Sequence, residues 1–325
     1  MPRPPHDGGR RRSGTDGAAP FPVDAAGRPA YTGRQPDDPA DCRARIAGSS
    51  NDQPSEEASM ATPVPSLSFK GLVIPDIAGR AVLITGGSSG IGRSIALGFA
   101  AAGAKVVIHY QTSVAGAERT AEEIRAGGGE AALVHFDAAD SAAVARGVAE
   151  AVTAFGRLDG LVNNAGSMMG RSPYETTDLD HLDHVFQVNG RSVLAATQAA
   201  LPALKDAKGF VINTTSIAAR NGGSLGAGLY ASAKGYVATM TKGMAKEFAP
   251  YGIRVNAVAP GVIMTPFHER DSTPAQLEAS RQTIPMARLG GPDECVGAYL
   301  FLASPLLSGY VTGQTIEVNG GQLMP

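Results

Sequence analysis

Cysteine is close to absent from this chain: Cys42 and Cys295 are the only two among 325 residues. Two thiols cannot build a disulfide framework or a zinc cluster, and the scarcity fits a reducing cytosol. Long apolar runs are missing too, with no stretch approaching the roughly 18 residues that a membrane span needs. Excess charge of either sign is also lacking, since the formal net charge is −2. No global basic field therefore draws the chain to nucleic acid. A soluble, cytoplasmic protein is expected, with no metal and no membrane or nucleic-acid partner. What is present is 43% hydrophobic and 18% charged, the make-up of one globular domain of about 250 residues with length to spare.

The spare length sits at the front. Residues 1–59 are rich in Pro, Gly, Asp, Arg and Ser and carry almost no aliphatic periodicity. Such a segment cannot bury enough apolar surface to offset its ordering entropy, so disorder is expected. Arg10-Arg11-Arg12 has no apolar stretch behind it, which argues against a secretion signal and for a solvated tail. Met60 opens a more ordinary stretch, and a start assigned too far upstream would account for what precedes it. We therefore divide the chain into an N-terminal extension, residues 1–75, and one domain, residues 76–325.

From Gly79 onward, apolar runs alternate with helical patterns. The expected strands are Val82–Thr85, Val106–His109, Ala132–Phe136, Leu161–Asn163, Phe210–Thr214, Val255–Ala259 and Thr315–Val318. Between them lie amphipathic segments at Gly92–Ala102, Ala115–Ala126, Ala142–Phe155, Leu179–Leu204, Ala231–Phe248 and Asp293–Leu302. One helix in each gap means right-handed crossovers and a parallel sheet. The strands are Val/Ile/Leu-rich rather than alternating, as expected when helices cover both faces. The pattern predicts an α/β fold with a single Rossmann-type doubly wound parallel sheet of roughly seven strands.

In such a sheet, ligands bind beyond the carboxyl ends of the strands. The first strand runs into Gly86-Gly87-Ser88-Ser89-Gly90-Ile91-Gly92 and then at once into a helix. Glycine lets backbone bend sharply and approach a ligand closely, and a helix N-terminus is a natural seat for a diphosphate. Gly86, Ser88, Ser89, Gly90, Ile91 and Gly92 are therefore assigned to a dinucleotide. The third strand ends at Asp137-Ala138, where the carboxylate could accept from an adenine amino group, or could instead start a loop or cap the next helix. The fourth ends in Asn163-Asn164-Ala165-Gly166, whose small residues let a cofactor lie against backbone, and the sixth ends in Pro260-Gly261. Tyr230 and Lys234 in YASAK stand one helical turn apart on one face. A tyrosine that moves protons near neutrality needs a cation beside it, and Lys234 can supply one while also binding a ribose. Ser216, ending the fifth strand, could hydrogen-bond a substrate carbonyl.

TGGSSGIG, NNAG, the mid-helix Asn189, Ser216, YASAK and PGVIMT, in this order, resemble the short-chain dehydrogenases/reductases. The resemblance spans residues 76–325. It implies that Tyr230 is the catalytic acid/base, Lys234 the partner that lowers its pKa, and Ser216 the substrate-orienting hydroxyl. By the same resemblance Asn189 holds a water linking Lys234 to solvent, and Ile263 and Thr265 hold the nicotinamide carboxamide and the diphosphate. Asn163, Ala165 and Gly166 would flank the cofactor. The implied reaction interconverts a ketone and a secondary alcohol, in a homotetramer. The overall look is nearest to 3-oxoacyl-[acyl-carrier-protein] reductases, whose substrate is a carrier-bound acyl group, with glucose 1-dehydrogenase-like sugar or polyol dehydrogenases as the alternative. A non-catalytic dinucleotide sensor on the same fold is the remote rival, but such sensors lack the Tyr–Lys pair.

Two features bear on specificity. Thirteen residues separate Ser216 from Tyr230, one more than in many members, and they include the glycine-rich RNGGSLGAGL. Substrate identity transfers less well than chemistry across such a loop and across the expected lid, Met264–Pro285. At the end of the second strand, Tyr110 stands where an acidic residue would select NAD, and Gln111, Thr112 and Ser113 follow. Nothing there repels a 2′-phosphate, so NADP(H) is expected to be preferred over NAD(H). Ser89 offers no charge-assisted bond to phosphate, which keeps the preference modest.

Overall fold

The computed structural model describes Phe69 and residues 71–325. The disorder and the alternative start expected before residue 60 lie outside the described residues. Among the described residues, Phe69 and Leu72 lie against the core and Ile74 is buried in it, ahead of the expected boundary, and Ile77 follows.

Seven strands form the sheet: β1 (Ala81–Ile84), β2 (Lys105–Tyr110), β3 (Glu130–His135), β4 (Gly160–Asn163), β5 (Phe210–Thr214), β6 (Arg254–Pro260) and β7 (Thr315–Val318). Their spatial order is β3-β2-β1-β4-β5-β6-β7, and every pairing is parallel. The fold is the expected α/β doubly wound sheet. Strand order reverses between β1 and β4, which opens a crevice at their carboxyl ends.

The principal helices are α1 (Gly90–Ala101), α2 (Val114–Ala126), α3 (Ser141–Phe155), α4 (Leu179–Phe186), α5 (Ser192–Ala207), α6 (Ala218–Asn221), α7 (Gly228–Phe248), α8 (Pro266–Asp271), α9 (Pro274–Gln282), α10 (Val296–Ala303) and α11 (Pro305–Ser308). Successive strand residues point to opposite faces, so one apolar strand feeds two cores. Val82, Ile84, Phe210 and Ile212 pack with α1 and α10, whereas Leu83, Leu161, Val211 and Val255 pack with α3, α5 and α7.

The segment expected as one helix, Leu179–Leu204, is helical throughout but changes winding once. A π-helical turn at Gln187–Arg191 separates α4 from α5 and contains Asn189. The Asn189 side-chain amide donates to the Val185 carbonyl at 3.0 Å and leaves the helix to reach Ser167. Single π-turns of this kind are common at functional sites.

Candidate active site

The β1 turn is built on close backbone approach. Gly86 and Gly90 have φ of +68° and +52°, a region that glycine enters without steric cost. A Cβ on Gly92 would lie 2.1 Å from the Gly86 carbonyl oxygen, so the first turn of α1 can seat under the loop only without a side chain there. The turn is tied across the crevice to the end of β4. The Thr85 hydroxyl accepts the Asn164 and Ala165 amides at 2.9 and 3.0 Å, and Asn164 Nδ2 donates back to the Thr85 carbonyl at 3.0 Å.

One cavity of about 830 Å³ runs along the carboxyl edge of the sheet from this turn to Tyr230. Every residue assigned from sequence to cofactor or catalysis lines it, except Asn163 and Asn189. Asn163 is corrected by strand alternation: its side chain turns into the core and donates to Thr197 Oγ1 and Asn213 Oδ1 at 3.1 and 2.9 Å. Its neighbour Asn164 lines the cavity instead. Asp137 is exposed and borders the cavity, and its carboxylate accepts the Ala139 amide at 2.8 Å. The cap of α3 is Asp140, which accepts from Ala142 and Ala143.

Asn189 does not line the cavity but stands behind it. Its Oδ1 accepts the Ser167 amide at 3.0 Å and its Nδ2 donates to the Ser167 carbonyl at 2.7 Å. The carboxamide thus braces the Asn164–Ser167 loop. Gly166 lets this happen beside Lys234, since a Cβ there would lie 2.7 Å from Asn189 Oδ1 and 3.1 Å from Lys234 Nζ.

Lys234 and Tyr230 come together from the first turns of α7. Lys234 is buried; its Nζ donates to the Thr214 carbonyl at 2.9 Å and lies 5.6 Å from the Tyr230 ring centroid. Burial lowers its pKa to about 8. Tyr230 is half-buried in the cavity wall, where desolvation pushes its phenol up to about 12, offset in part by a hydrogen bond with the Ser216 hydroxyl.

Beyond Tyr230 the walls come from α8 and two loops. The Phe267 ring lies 5.6 Å from that of Tyr230. Arg171 donates to the Asp271 carbonyl at 2.8 Å, Ser224 Oγ at 2.8 Å and the Leu225 carbonyl at 2.9 Å, stapling the end of α8 to the glycine-rich loop. Arg270 reaches Ser167 Oγ at 3.3 Å. Sequence reasoning missed these two arginines, and also His109, which receives the Gly86 amide at 3.0 Å. A histidine near the end of a strand that neighbours a glycine turn was the available signal.

The cavity, the glycine approach distances and the free amides at the start of α1 fit a dinucleotide. A family profile described as enoyl-(acyl carrier protein) reductase matches residues 86–322. The crystal structure of a short chain dehydrogenase from Burkholderia cenocepacia, in complex with NADP, superposes with a TM-score of 0.71 at 34% identity, covering 76% of this chain and 99% of that one. The chain is a short-chain dehydrogenase/reductase. It is accordingly an NAD(P)-dependent oxidoreductase. A 3-oxoacyl-[acyl-carrier-protein] reductase from Synechocystis is 39% identical over 246 residues, 75% of this chain and 97% of the relative. An NADH-dependent reductase, A1-R′, crystallised with NAD, matches at TM-score 0.70 and 38% identity over 77% of this chain and 99% of that one. Among the described residues no helix is long and apolar enough to cross a membrane, and no cluster of His, Cys, Asp and Glu could hold a metal.

Proposed function

We propose that this enzyme interconverts a ketone and a secondary alcohol, with Tyr230 as the proton donor and acceptor. The observation that carries the reading is the Ser216–Tyr230 hydroxyl pair lining the cavity that begins at the glycine turn. When bound, the nicotinamide supplies or takes up the hydride. Gly86, Ser88, Ser89, Gly90, Ile91 and Gly92 would hold the diphosphate end, Asp137 and Ala138 the adenine, and Ala165, Gly166, Pro260, Gly261, Ile263 and Thr265 the remainder, with Lys234 on a ribose. Ser216 would orient the substrate carbonyl. With its high pKa, Tyr230 keeps its proton at neutral pH, the form that can protonate a developing alkoxide. Asn189 would act on the backbone of Ser167, keeping the loop beside Lys234 in place.

The cofactor reading favours NADP(H). No carboxylate stands at the end of β2, Tyr110 tilts onto His135, and Gln111 and Thr112 line the cavity. For the substrate, a 3-oxoacyl group on a carrier is the first reading, supported by the Synechocystis relative. A sugar or polyol is the second, favoured by Arg171, His184 and Arg270 on the outer wall. A cytoplasmic homotetramer is proposed as well, on the small residues of α5 and α7. The test is turnover of NADPH and NADH against matched 3-oxoacyl thioesters and sugar ketones. Turnover of neither class, by wild type that binds nucleotide, would refute the reading.

A further inference from the structure

His109 lies in β2, between β1 and β3, and its side chain reaches both neighbours. Its Nδ1 accepts the Gly86 amide at 3.0 Å, and its Nε2 lies 3.0 Å from the Phe136 carbonyl oxygen. The two partners fix the tautomer: an amide can only donate, so Nδ1 carries a lone pair, and a carbonyl can only accept, so Nε2 carries the hydrogen. The main chain adds a further tie, because the Gly87 amide donates to the His109 carbonyl at 2.9 Å. The ring is 2% exposed and stacks on Phe136 with centroids 3.6 Å apart.

A buried histidine on an apolar strand is ordinarily a satisfied core residue. Here Gly86 lines the cavity, and Phe136 directly precedes Asp137, which lines it too. Gly86 opens the turn assigned to the diphosphate, and Asp137 stands at the adenine end. We propose that His109 is a positioning residue for the dinucleotide, holding the glycine turn in register with the end of β3 through the Gly86 amide. The inference rests on the reading that this turn carries the cofactor. The charged and titratable groups facing the ring are His135 and Asp137; the first disfavours and the second favours an imidazolium, but burial dominates and lowers the pKa to about 4. The lone pair on Nδ1 is thus kept throughout the physiological range.

Two substitutions separate the two ring nitrogens. His109→Asn places an acceptor near Nδ1, whereas His109→Gln places a donor near Nε2. The dissociation constants of NADPH and NADH, read by titration calorimetry, should rise about tenfold in His109→Gln, the equivalent of about 1.4 kcal/mol. They should stay within about threefold of wild type in His109→Asn. At saturating cofactor, kcat should hold within about twofold in both, since neither variant touches the reacting atoms. Equal affinities in the two variants, or a kcat loss that matches the affinity loss, would overturn the proposal. Were both variants to misfold, amide exchange in wild type decides, because a fast-exchanging Gly86 N–H is incompatible with the role. Wild type that binds neither nucleotide would instead defeat the underlying cofactor reading.

Discussion

Lys234 makes the stability of the enzyme without nucleotide depend on pH in a definite direction. Burial moves its pKa from the ordinary 10.5 to about 8. Below pH 8 both the folded and the unfolded chain hold the proton, and the fold carries the whole cost of a buried ammonium. Between about pH 8 and 10.5 the unfolded chain binds more protons than the folded one, so stability rises with pH. The full span corresponds to roughly 3 kcal/mol at about 1.4 kcal/mol per pK unit. The window from pH 7 to 9 is where the effect is largest relative to other groups. His109, at about 4 when folded, has lost most of its proton in both states by pH 7, and Cys295, raised from 9.0 to about 12 by burial, subtracts only about 0.4 kcal/mol by pH 9. Across that window the Lys234 contribution grows by roughly 1 kcal/mol, a melting-temperature gain of about 2–4 °C for a domain of this size. Thermal melts of wild type and Lys234→Met at pH 7 and pH 9 read the difference, and other titrating groups cancel between the two proteins. The same pH slope in both would refute a buried, proton-losing Lys234.

Tyr230→Phe keeps the ring packed against Phe267 but removes the proton, so kcat should fall by roughly 10²-fold or more with nucleotide affinity little changed; steady-state kinetics with calorimetry checks both. Asn189→Ala removes three hydrogen bonds that brace Val185 and Ser167, and should lower the melting temperature as well as turnover, whereas a loss of turnover alone would return the residue to a proton-relay role. Gly92→Ala forces a methyl to within 2.1 Å of the Gly86 carbonyl, and nucleotide affinity should fall by about 100-fold or more, equivalent to roughly 3 kcal/mol. Unaltered binding in that variant would show that the turn can be rebuilt.

The sheet was legible because each strand is an apolar run stopped by a glycine or polar cluster, and the strand centres fall where expected. The π-turn was not, because Val185 and Val188 before it and Val193 and Ala196 after it keep near-helical spacing across residues 187–191, and periodicity cannot register one inserted residue. Asn163 and Asn164 illustrate a different limit. Adjacent identical residues at a strand end are told apart only by the pleat, which sends one into the core and the other into the cavity. His109 read as part of an apolar strand because its ring partners are a main-chain amide and a main-chain carbonyl, which leave no trace in side-chain spacing. The lid helices α8 and α9 were legible in principle: Thr265-Pro266 and Thr273-Pro274 each place a cap residue before a proline at the first helical position.

The Thr85 hydroxyl receives amides from residues 79 and 80 positions further along the chain, at the seam where the two halves of the sheet run in opposite winding directions. A dinucleotide held as proposed would span that seam, touching the β1 turn on one side and the β4 loop on the other. Its binding energy would then accrue only while both halves are folded. Nucleotide at about 100 times its dissociation constant adds about 2.7 kcal/mol to the folded state, and the seam directs that gain against separation of the halves. On that placement, the enzyme's resistance to proteolysis would rise with the concentration of bound nucleotide, reduced or oxidised.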